Sequence, residues 1–404
     1  MSKKNEVLVR NSYVERVEPF IGKQIIKVFT GQRRVGKSCL LYQLMDKIKQ
    51  TSPDTELVYM NLEEYELSKI VTDEQLHQYI AANTSAEKKT AIFIDEIQNV
   101  SGFEKVLRSL LLNSNFDIYV TGSNAKMLSS ELATYLSGRY VEIPVYSLSY
   151  IEFLDFHKIT DSPKSFEQYA RFGGLPFLRH LPLEEPVISD YLKSVYSTIL
   201  FHDITERYQI RNALFLENLV KFLADNVGSL FSAKNICDYL KSQHSTLSVN
   251  QIQAYASYLC NAFLLHNARR YDLAGKRYFE VGEKYYFEDI GIRNVLVGYR
   301  PNDKGKVLEN LIFKHLKYLG YDVKVGSFGN LEIDFVAEKN NERVYIQAAL
   351  AIDNEATELR EFGDLLKIND NYPKYVVTWD GFNGNTHDGI AELSVRQFCS
   401  MKEF

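Results

Sequence analysis

Gly31, Gln32, Arg33, Arg34, Val35, Gly36, Lys37 and Ser38 form an uninterrupted GxxxxGK[ST] run, and no other feature of the sequence narrows the possible folds as sharply. Glycines at both ends let backbone N–H groups curl around a phosphate, and a helix beginning directly after the run adds its positive end. Lys37 is placed to reach the β- and γ-phosphates of a nucleoside triphosphate, and Ser38 to offer its hydroxyl to Mg²⁺. The expected phosphate-binding stretch runs from Gly31 through Cys39.

The flanking pattern supplies what such a loop needs. Residues 25–30 read as a buried strand, and residues 37–49 place Leu40, Leu41, Leu44, Met45 and Ile48 on one helical face. Further apolar runs at 57–61, 91–95 and 118–121 alternate with helical patterns, which predicts an α/β fold with a parallel sheet covered on both faces. The run at 91–95 ends in Asp95 and Glu96. Asp95 is placed to hold Mg²⁺ through water, and Glu96 to polarise an attacking water. At the close of the next run, Ser123 or Asn124 is the expected contact for a γ-phosphate.

A chain of 404 residues exceeds one ordinary core, so two to three domains are expected. With 45% hydrophobic and 25% charged residues it is neither disordered nor collagen-like. No apolar stretch approaches the ~20 residues of a membrane span, and the first residues lack the apolar core of a secretory leader. The four cysteines, Cys39, Cys237, Cys260 and Cys399, lie far apart, which argues against a zinc site or a disulfide framework and fits a reducing cytoplasm. A net charge of -5 means that any basic surface for nucleic acid must be local.

Beyond Pro144 the strand signal fades. Residues 150–205 read as mostly helical, broken at Gly173, Gly174 and Pro176 and again at Pro182 and Pro186. Three helices follow, at 215–226, 232–242 and from Ser248 to about 263. In the third, Ile252, Tyr255, Leu259 and Phe263 share a face, leaving Asn250, Gln251, Gln253 and Ser257 pointing elsewhere, where amides are suited to reading base edges. Residues 268–271 and 276–279 read as a β-ribbon turning at Gly275, with Arg269, Arg270, Lys276 and Arg277 available to phosphates. A new α/β unit begins at Lys306, with a helix to Leu319, strands at 321–325, 332–337 and 344–350, a helix at 358–368 and a strand at 375–378.

The set Gly31–Ser38 and Asp95-Glu96 resembles the AAA-type branch of the P-loop ATPases. Ser137, Gly138 and Arg139, just before the apolar stretch ending at Pro144, strengthen that resemblance. In that branch an arginine at this place points at a neighbouring subunit's γ-phosphate, so Arg139 is the implied arginine finger. More specifically, the chain resembles a widespread family of prokaryotic ATPases. The residues that carry this are the Arg33-Arg34 pair, Asp95-Glu96-Ile97-Gln98, Gly173-Gly174-Leu175-Pro176, the stretch from Tyr285 through Asp289, Gly291 and Arg293 to Asn294, and Glu332-Ile333-Asp334. The resemblance implies a P-loop AAA-type core with a parallel sheet over residues 1–148 and a helical lid over 149–212. It implies a winged helix over 213–300 and a PD-(D/E)XK nuclease-like α/β domain over 301–404.

A working nuclease of that type needs a helix glutamate, a strand Asp and an [E/Q]xK on the next strand, with the acids on Mg²⁺ and the Lys at the attacking water. Glu309, Asp334 and Gln347 take the first three places, but Ala349 stands where the Lys belongs. A degenerate, non-cutting site is therefore expected, with Lys324 or Lys339 as the lysines to watch for a substitute. The function expected is ATP binding and hydrolysis with Mg²⁺, controlling a C-terminal half that binds duplex DNA or protein, in a homo-oligomer and without a membrane partner. The alternatives are an ATP-regulated endonuclease and an ATP-binding switch that does not turn over.

Overall fold

The computed structural model describes residues 8–125, 136, 138–242, 247–273, 275, 282–329, 331–352, 355–381 and 386–404, with residues 355–360 as backbone only. Ser137, Lys276 and Arg277 lie outside the described residues. The chain divides into two compact units, one running through Tyr146 and taking in Asn261–Phe263, the other made of Ser147–Cys260 and Leu264–Phe404. Among the described residues no helix is long and apolar enough to cross a membrane.

The first unit is built on strands β1 (Ile26–Thr30), β2 (Glu56–Asn61), β3 (Thr90–Asp95), β4 (Phe116–Gly122) and β5 (Tyr140–Pro144). They lie in the order β2-β3-β4-β1-β5, and every pairing is parallel. β1, β3 and β4 are buried along their whole length, which is why they read as mainly apolar runs without alternation. Helices α1 (Asn11–Val17), α2 (Lys37–Thr51), α3 (Asp73–Asn83) and α4 (Phe103–Leu110) accompany the sheet. Ile80, Val106 and Leu107 from α3 and α4 pack with Ile92, Ile94 and Ile118 of the strands. Lys27 is fully buried on β1 and ion-paired with Asp117 on the neighbouring β4. Tyr119 donates to the same carboxylate at 2.7 Å and the Gly22 N–H at 2.8 Å, so this buried charge keeps its partners.

The second unit opens with helices α5 (Tyr150–His157), α6 (Pro163–Phe172) and α7 (Glu185–Thr198), the last continuing as a π-helical segment over Ile199–Glu206. Ser149 and Ser162 cap α5 and α6 with reciprocal side-chain to backbone bonds. Next come α8 (Ala213–Asp225), β6 (Leu230–Phe231), α9 (Ala233–Ser242), α10 (Val249–Asn261), β7 (Leu265–Asp272), β8 (Glu283–Phe287) and α11 (Ile290–Val297). The remainder is α12 (Lys304–Tyr318), β9 (Asp322–Phe328), β10 (Leu331–Lys339), β11 (Glu342–Ala349), α13 (Glu355–Leu366), β12 (Lys374–Thr378), β13 (Thr386–His387), β14 (Ile390–Ser394) and α14 (Val395–Phe398).

Among the described residues, the strand that pairs with Leu265–Arg269 is β8, which begins at Glu283; the expected arm at 276–279 lies outside the described residues. β7 also has a second partner that the sequence reading did not give it. Its first residues pair antiparallel with β8, and Arg270–Asp272 pair parallel with β9. The ribbon strands and the C-terminal strands therefore share one nine-stranded sheet, ordered β13-β14-β12-β11-β10-β9-β7-β8-β6, which runs past the boundary expected at residue 300.

The two family stretches of this unit meet. Asp289 caps α11 by accepting the Gly291 and Ile292 N–H groups, and its other oxygen accepts the Gly174 N–H at 2.8 Å. Asn294 donates to the Ala170 and Arg171 carbonyls at the end of α6, both at 2.9 Å. Arg293, fully buried, donates to the Ala224 carbonyl of α8 and pairs with Asp303 at 3.0 Å. Close approach demands the glycines: a Cβ on Gly291 would lie 2.1 Å from the Phe172 carbonyl oxygen, and one on Gly173 would lie 2.2 Å from Asp289 Oδ1. Gly291→Ala is expected to lower stability by about 1–3 kcal/mol, because backbone on both sides must move. Gly363→Ala, in α13 with nothing within 4 Å of its Cβ, is expected to raise it by about 0.5–1 kcal/mol. Chemical denaturation of the two variants beside the wild type reads both.

Candidate functional site

The phosphate-binding stretch leaves β1 at Thr30 and enters α2 at Lys37. It turns through Gly31 at φ 150°, Arg34 at φ 72° and Gly36 at φ 98°. A Cβ on Gly31 would lie 2.1 Å from the Val145 carbonyl oxygen, so the bend after β1 has room only for glycine. No side chain caps the start of α2, whose first-turn N–H groups are thus left by side chains for another acceptor. Lys37 is buried, and its Nζ donates to the Gly31 and Gln32 carbonyls at 3.0 and 3.1 Å. Val35 and Gln32 are fully buried, Arg34 and Cys39 exposed, and Arg33 pairs with Glu63 at 2.8 Å.

β4 lies between β1 and β3, so the strand that ends in Asp95 and Glu96 is one strand removed from the loop. Thr121, at the end of β4, joins them. Its hydroxyl donates to Asp95 Oδ1 and accepts the Glu96 N–H at 2.9 Å. Tyr59 donates to the other Asp95 oxygen at 3.2 Å, and Ser38 also hydrogen-bonds this carboxylate. Glu96 adopts the left-handed region at φ 57°, and its carboxylate approaches Lys37 Nζ at 3.7 Å. Gln98 donates to Glu96 Oε2 and, at 3.2 Å, to Ser123 Oγ. Asn124 is buried beside them in sequence.

The two adjacent carboxyls are pushed apart in acidity. Burial pushes Asp95 up, against the hydrogen bonds from Ser38 and Thr121. Burial also works against a charged Glu96, but Lys37, Gln98, Arg33 and Ser123 together hold that carboxyl below its usual range. Glu96 is thus an anion next to the P-loop ammonium. The residues fit a nucleotide phosphate with Mg²⁺. Among the described residues, no side chain caps the helix start, and the wholly buried Gln32 amide has no partner for either of its atoms. The Ser38 hydroxyl already touches the Asp95 carboxylate, the oxygen pair that a hard cation would take.

Arg139 precedes β5, and its backbone carbonyl accepts the Ile26 N–H at 3.0 Å. β5 runs parallel to β1 with Thr30 opposite Pro144, so Arg139 sits at the end of the sheet away from the phosphate loop. Five strand residues at about 3.3 Å each put it roughly 16 Å from that end. Its side chain is exposed and without a hydrogen-bond or ion-pair partner among the described residues.

In the second unit, Asn250, Gln253 and Arg269 are exposed and Arg270 is half-buried. Gln251 is spent locally: its Oε1 accepts the Ser248 N–H at 3.0 Å in a capping arrangement at the start of α10. The expected acid pair is brought together, since Glu309 on α12 and Asp334 on β10 both face one ammonium. That ammonium is neither Lys324, which pairs with Glu338 at 2.6 Å and Asp322 at 3.3 Å, nor Lys339, whose Nζ donates to the Leu319 carbonyl. It belongs to Lys284 on β8, which reaches Glu332 Oε1 at 2.8 Å, Asp334 Oδ1 at 3.4 Å and Glu309 Oε2 at 3.6 Å. Gln347 gives its Oε1 to the Asp334 N–H at 3.3 Å, and Asp334 Oδ2 accepts the Ala348 N–H at 3.0 Å. Tyr286 donates to Glu309 at 3.3 Å. Burial first, and then the Asp334 carboxylate, push Glu309 up; burial likewise pushes Asp334 up. Among the described residues, no group of three or more His, Cys, Asp or Glu is placed to hold a metal ion.

Thr121, Tyr59, Lys284 and Glu332 are the site residues that the sequence reading passed over. Lys284 had a readable signal: it is two residues before the core tyrosine Tyr286, and alternation puts both on one strand face. Thr121 had none, because its importance depends on β4 being the inserted strand.

Residues 23–154 match the model of an AAA domain, and residues 163–303 match a domain of unknown function, DUF8612. An uncharacterized protein of Haemophilus influenzae is 36% identical over 395 residues, covering 96% of this chain and 98% of that protein. An uncharacterized protein of Methanocaldococcus jannaschii is 28% identical over 416 residues, covering 96% of this chain and 92% of that one. A replication initiator DnaA bound to AMPPCP and single-stranded DNA superposes at 13% identity, over 63% of this chain and 90% of that one. Its TM-score of 0.33 is too low to bear on fold or function.

The Thr121 hydroxyl is expected to be structurally costly to lose. Thr121→Val keeps the shape but removes one of the hydrogen bonds to the buried Asp95 carboxylate and leaves the Glu96 N–H without its acceptor, which typically costs about 1–3 kcal/mol. Thr121→Ser should recover most of that loss in the same denaturation measurement.

Proposed function

The chain belongs to the family of its uncharacterized Haemophilus influenzae relative and matches an AAA domain over residues 23–154, and on that premise we propose that it is an Mg²⁺-dependent ATPase whose nucleotide state controls a DNA- or protein-binding C-terminal half. The observation that carries the reading is the approach of Glu96 to the P-loop Lys37, at 3.7 Å, with the Glu96 carboxyl held below its usual range. An ionised carboxylate beside the phosphate loop, fixed through its backbone by Thr121, is what an attacking water needs for orientation.

In this reading the uncapped start of α2 and Lys37 take the phosphates, and Lys37 exchanges its two loop carbonyls for phosphate oxygens. Ser38 and Asp95 would hold Mg²⁺, which neutralises charge on the β- and γ-phosphates when bound. Glu96 accepts a proton from the attacking water. Gln98 bridges Glu96 to Ser123 and so links the carboxylate to the end of β4, beside the expected γ-phosphate contacts Ser123 and Asn124. Arg139, roughly 16 Å along its strand from the loop end of the sheet, acts on the site of a neighbouring subunit, since a single arginine side chain does not span that distance within its own chain.

Lys37→Ala should weaken nucleotide binding, and Glu96→Gln should keep ATP bound while slowing phosphate release about 10-fold or more. Arg139→Ala should bind nucleotide and lose rate, and mixing it with Lys37→Ala should restore part of the activity. Undiminished hydrolysis by both Lys37→Ala and Glu96→Gln would reject the ATPase reading; a strict monomer with full activity would reject the finger.

The C-terminal half is read as a winged helix joined to a nuclease-like domain. The exposed Asn250 and Gln253 on α10, together with the exposed Arg269 on β7, favour duplex DNA as its ligand. Binding by anisotropy should weaken steeply with salt, and Arg269→Glu should flatten the slope by about one unit. No binding at low salt would leave a protein partner as the reading.

A further inference from the structure

The nuclease-like reading of residues 301–404 implies a divalent cation between Glu309 and Asp334, and the residues present do not fit one. The place between the acids is taken. Lys284 enters from β8 with its side chain only 4% exposed, and its Nζ lies 2.8 to 3.6 Å from a carboxylate oxygen of each of Glu332, Asp334 and Glu309. A divalent cation in the same space would meet an ammonium at contact distance, where unit charges interact by about 4 kcal/mol even at an effective dielectric constant of 20. Several ligand atoms of the cluster already have partners. Gln347 spends its amide oxygen on the Asp334 N–H, the second Asp334 oxygen accepts the Ala348 N–H, and Glu309 accepts from Tyr286. Ala349, at the place of the usual lysine, is an apolar buried side chain. The Glu309 carboxylate is also backed by Gly228, on which a Cβ would fall 2.4 Å from Oε2.

We infer that the Lys284 ammonium is a built-in replacement for the divalent cation, so that this acid cluster is held together by a side chain and takes no metal while Lys284 is present. The arrangement keeps the acids of a metal site on one helix and one strand but makes it a fixed structural ion cluster. Lysine has three donors, and here three carboxylates from α12 and β10 receive it. The three carboxylates are not placed to hold a metal ion as they stand, and the corollary is that the metal site is latent: taking away the ammonium removes the charge that keeps a cation out and lets acids that already face one place close on a hard divalent cation.

This inference rests on the reading of the C-terminal half, not on the ATPase chemistry, and its test uses no nucleotide. Mn²⁺ binding to the full chain is measured by titration calorimetry and by the paramagnetic signal of free Mn²⁺. Wild type is compared with Asp334→Asn, Lys284→Ala, Lys284→Gln and the Lys284→Ala/Asp334→Asn double variant. The wild type and Asp334→Asn should behave alike. Lys284→Ala should gain one Mn²⁺ per chain, bound at least about 100-fold more tightly than by the wild type at this place, and Mn²⁺ should raise its melting temperature. The double variant should lose that gain. Lys284→Gln, which keeps a donor to one acid, serves if the alanine variant does not fold. Wild-type Mn²⁺ binding that disappears in Asp334→Asn would overturn the inference, as would Mn²⁺-dependent plasmid nicking that disappears in the same variant. A folded Lys284→Ala or Lys284→Gln with no gain in Mn²⁺ affinity would overturn the latent-site corollary.

Discussion

The hydroxyl of Thr121 ties the phosphate-binding unit together. A parallel sheet ordered β2-β3-β4-β1-β5 separates the loop strand from the acidic strand by one strand width, and β4 fills the gap. Only a short side chain that both donates and accepts fits at its end, and Thr121 gives its proton to Asp95 and takes the Glu96 N–H. That pair of bonds fixes the turn in which Glu96 takes a left-handed backbone conformation. The turn in turn brings the Glu96 carboxylate to Lys37, and the neighbouring acids then part in character: Asp95 is pushed towards its neutral form by burial while Glu96 is kept charged by its cationic and hydrogen-bonding neighbours. Two identical functional groups, adjacent in sequence, acquire different chemistry from where one strand is inserted.

The second unit relies on a comparable economy of buried polar groups. Asp289 satisfies the start of α11 and the Gly174 N–H together, and Asn294 satisfies carbonyls at the end of α6. Glu288, its neighbour, accepts the Ser147 N–H at 2.7 Å and contacts His266 at 2.6 Å. Helix ends buried without partners are costly, so these side chains decide which helix ends can be buried. The same logic explains why the acid cluster around Lys284 persists: three buried or half-buried carboxylates without a cation would be strongly destabilising, and the ammonium from β8 supplies one.

Much of the fold was legible because its signals are local. The loop glycines, the largely apolar strands β1, β3 and β4, the amphipathic helix after Lys37 and the serine at the start of α10 each follow from the backbone demands of a few neighbouring residues. The element order from α12 to β12 was readable for the same reason. The first arm of the expected ribbon lies in β7, and the expected second arm lies outside the described residues. Alternation identifies a strand without saying which strands it pairs with, and it did not reveal that β7 would also pair with β9 and so merge the ribbon with the C-terminal strands.

By itself the sequence determined the P-loop run, the acid pair at a strand end, the serine start of α10 and the loss of a lysine at position 349. Each of these is a matter of residue type at fixed spacing, and spacing along the chain is what a sequence records. Tertiary structure alone decided that Thr121 holds the acid pair, that Gln251 is a cap and not a free amide, that Arg139 lies at the far end of its own sheet, and that Lys284 rather than Lys324 or Lys339 faces Glu309 and Asp334. Those outcomes depend on which strand is inserted beside which and on the side chains that burial brings within a few ångströms across 25 to 50 residues of chain, and neither quantity is carried by any local pattern.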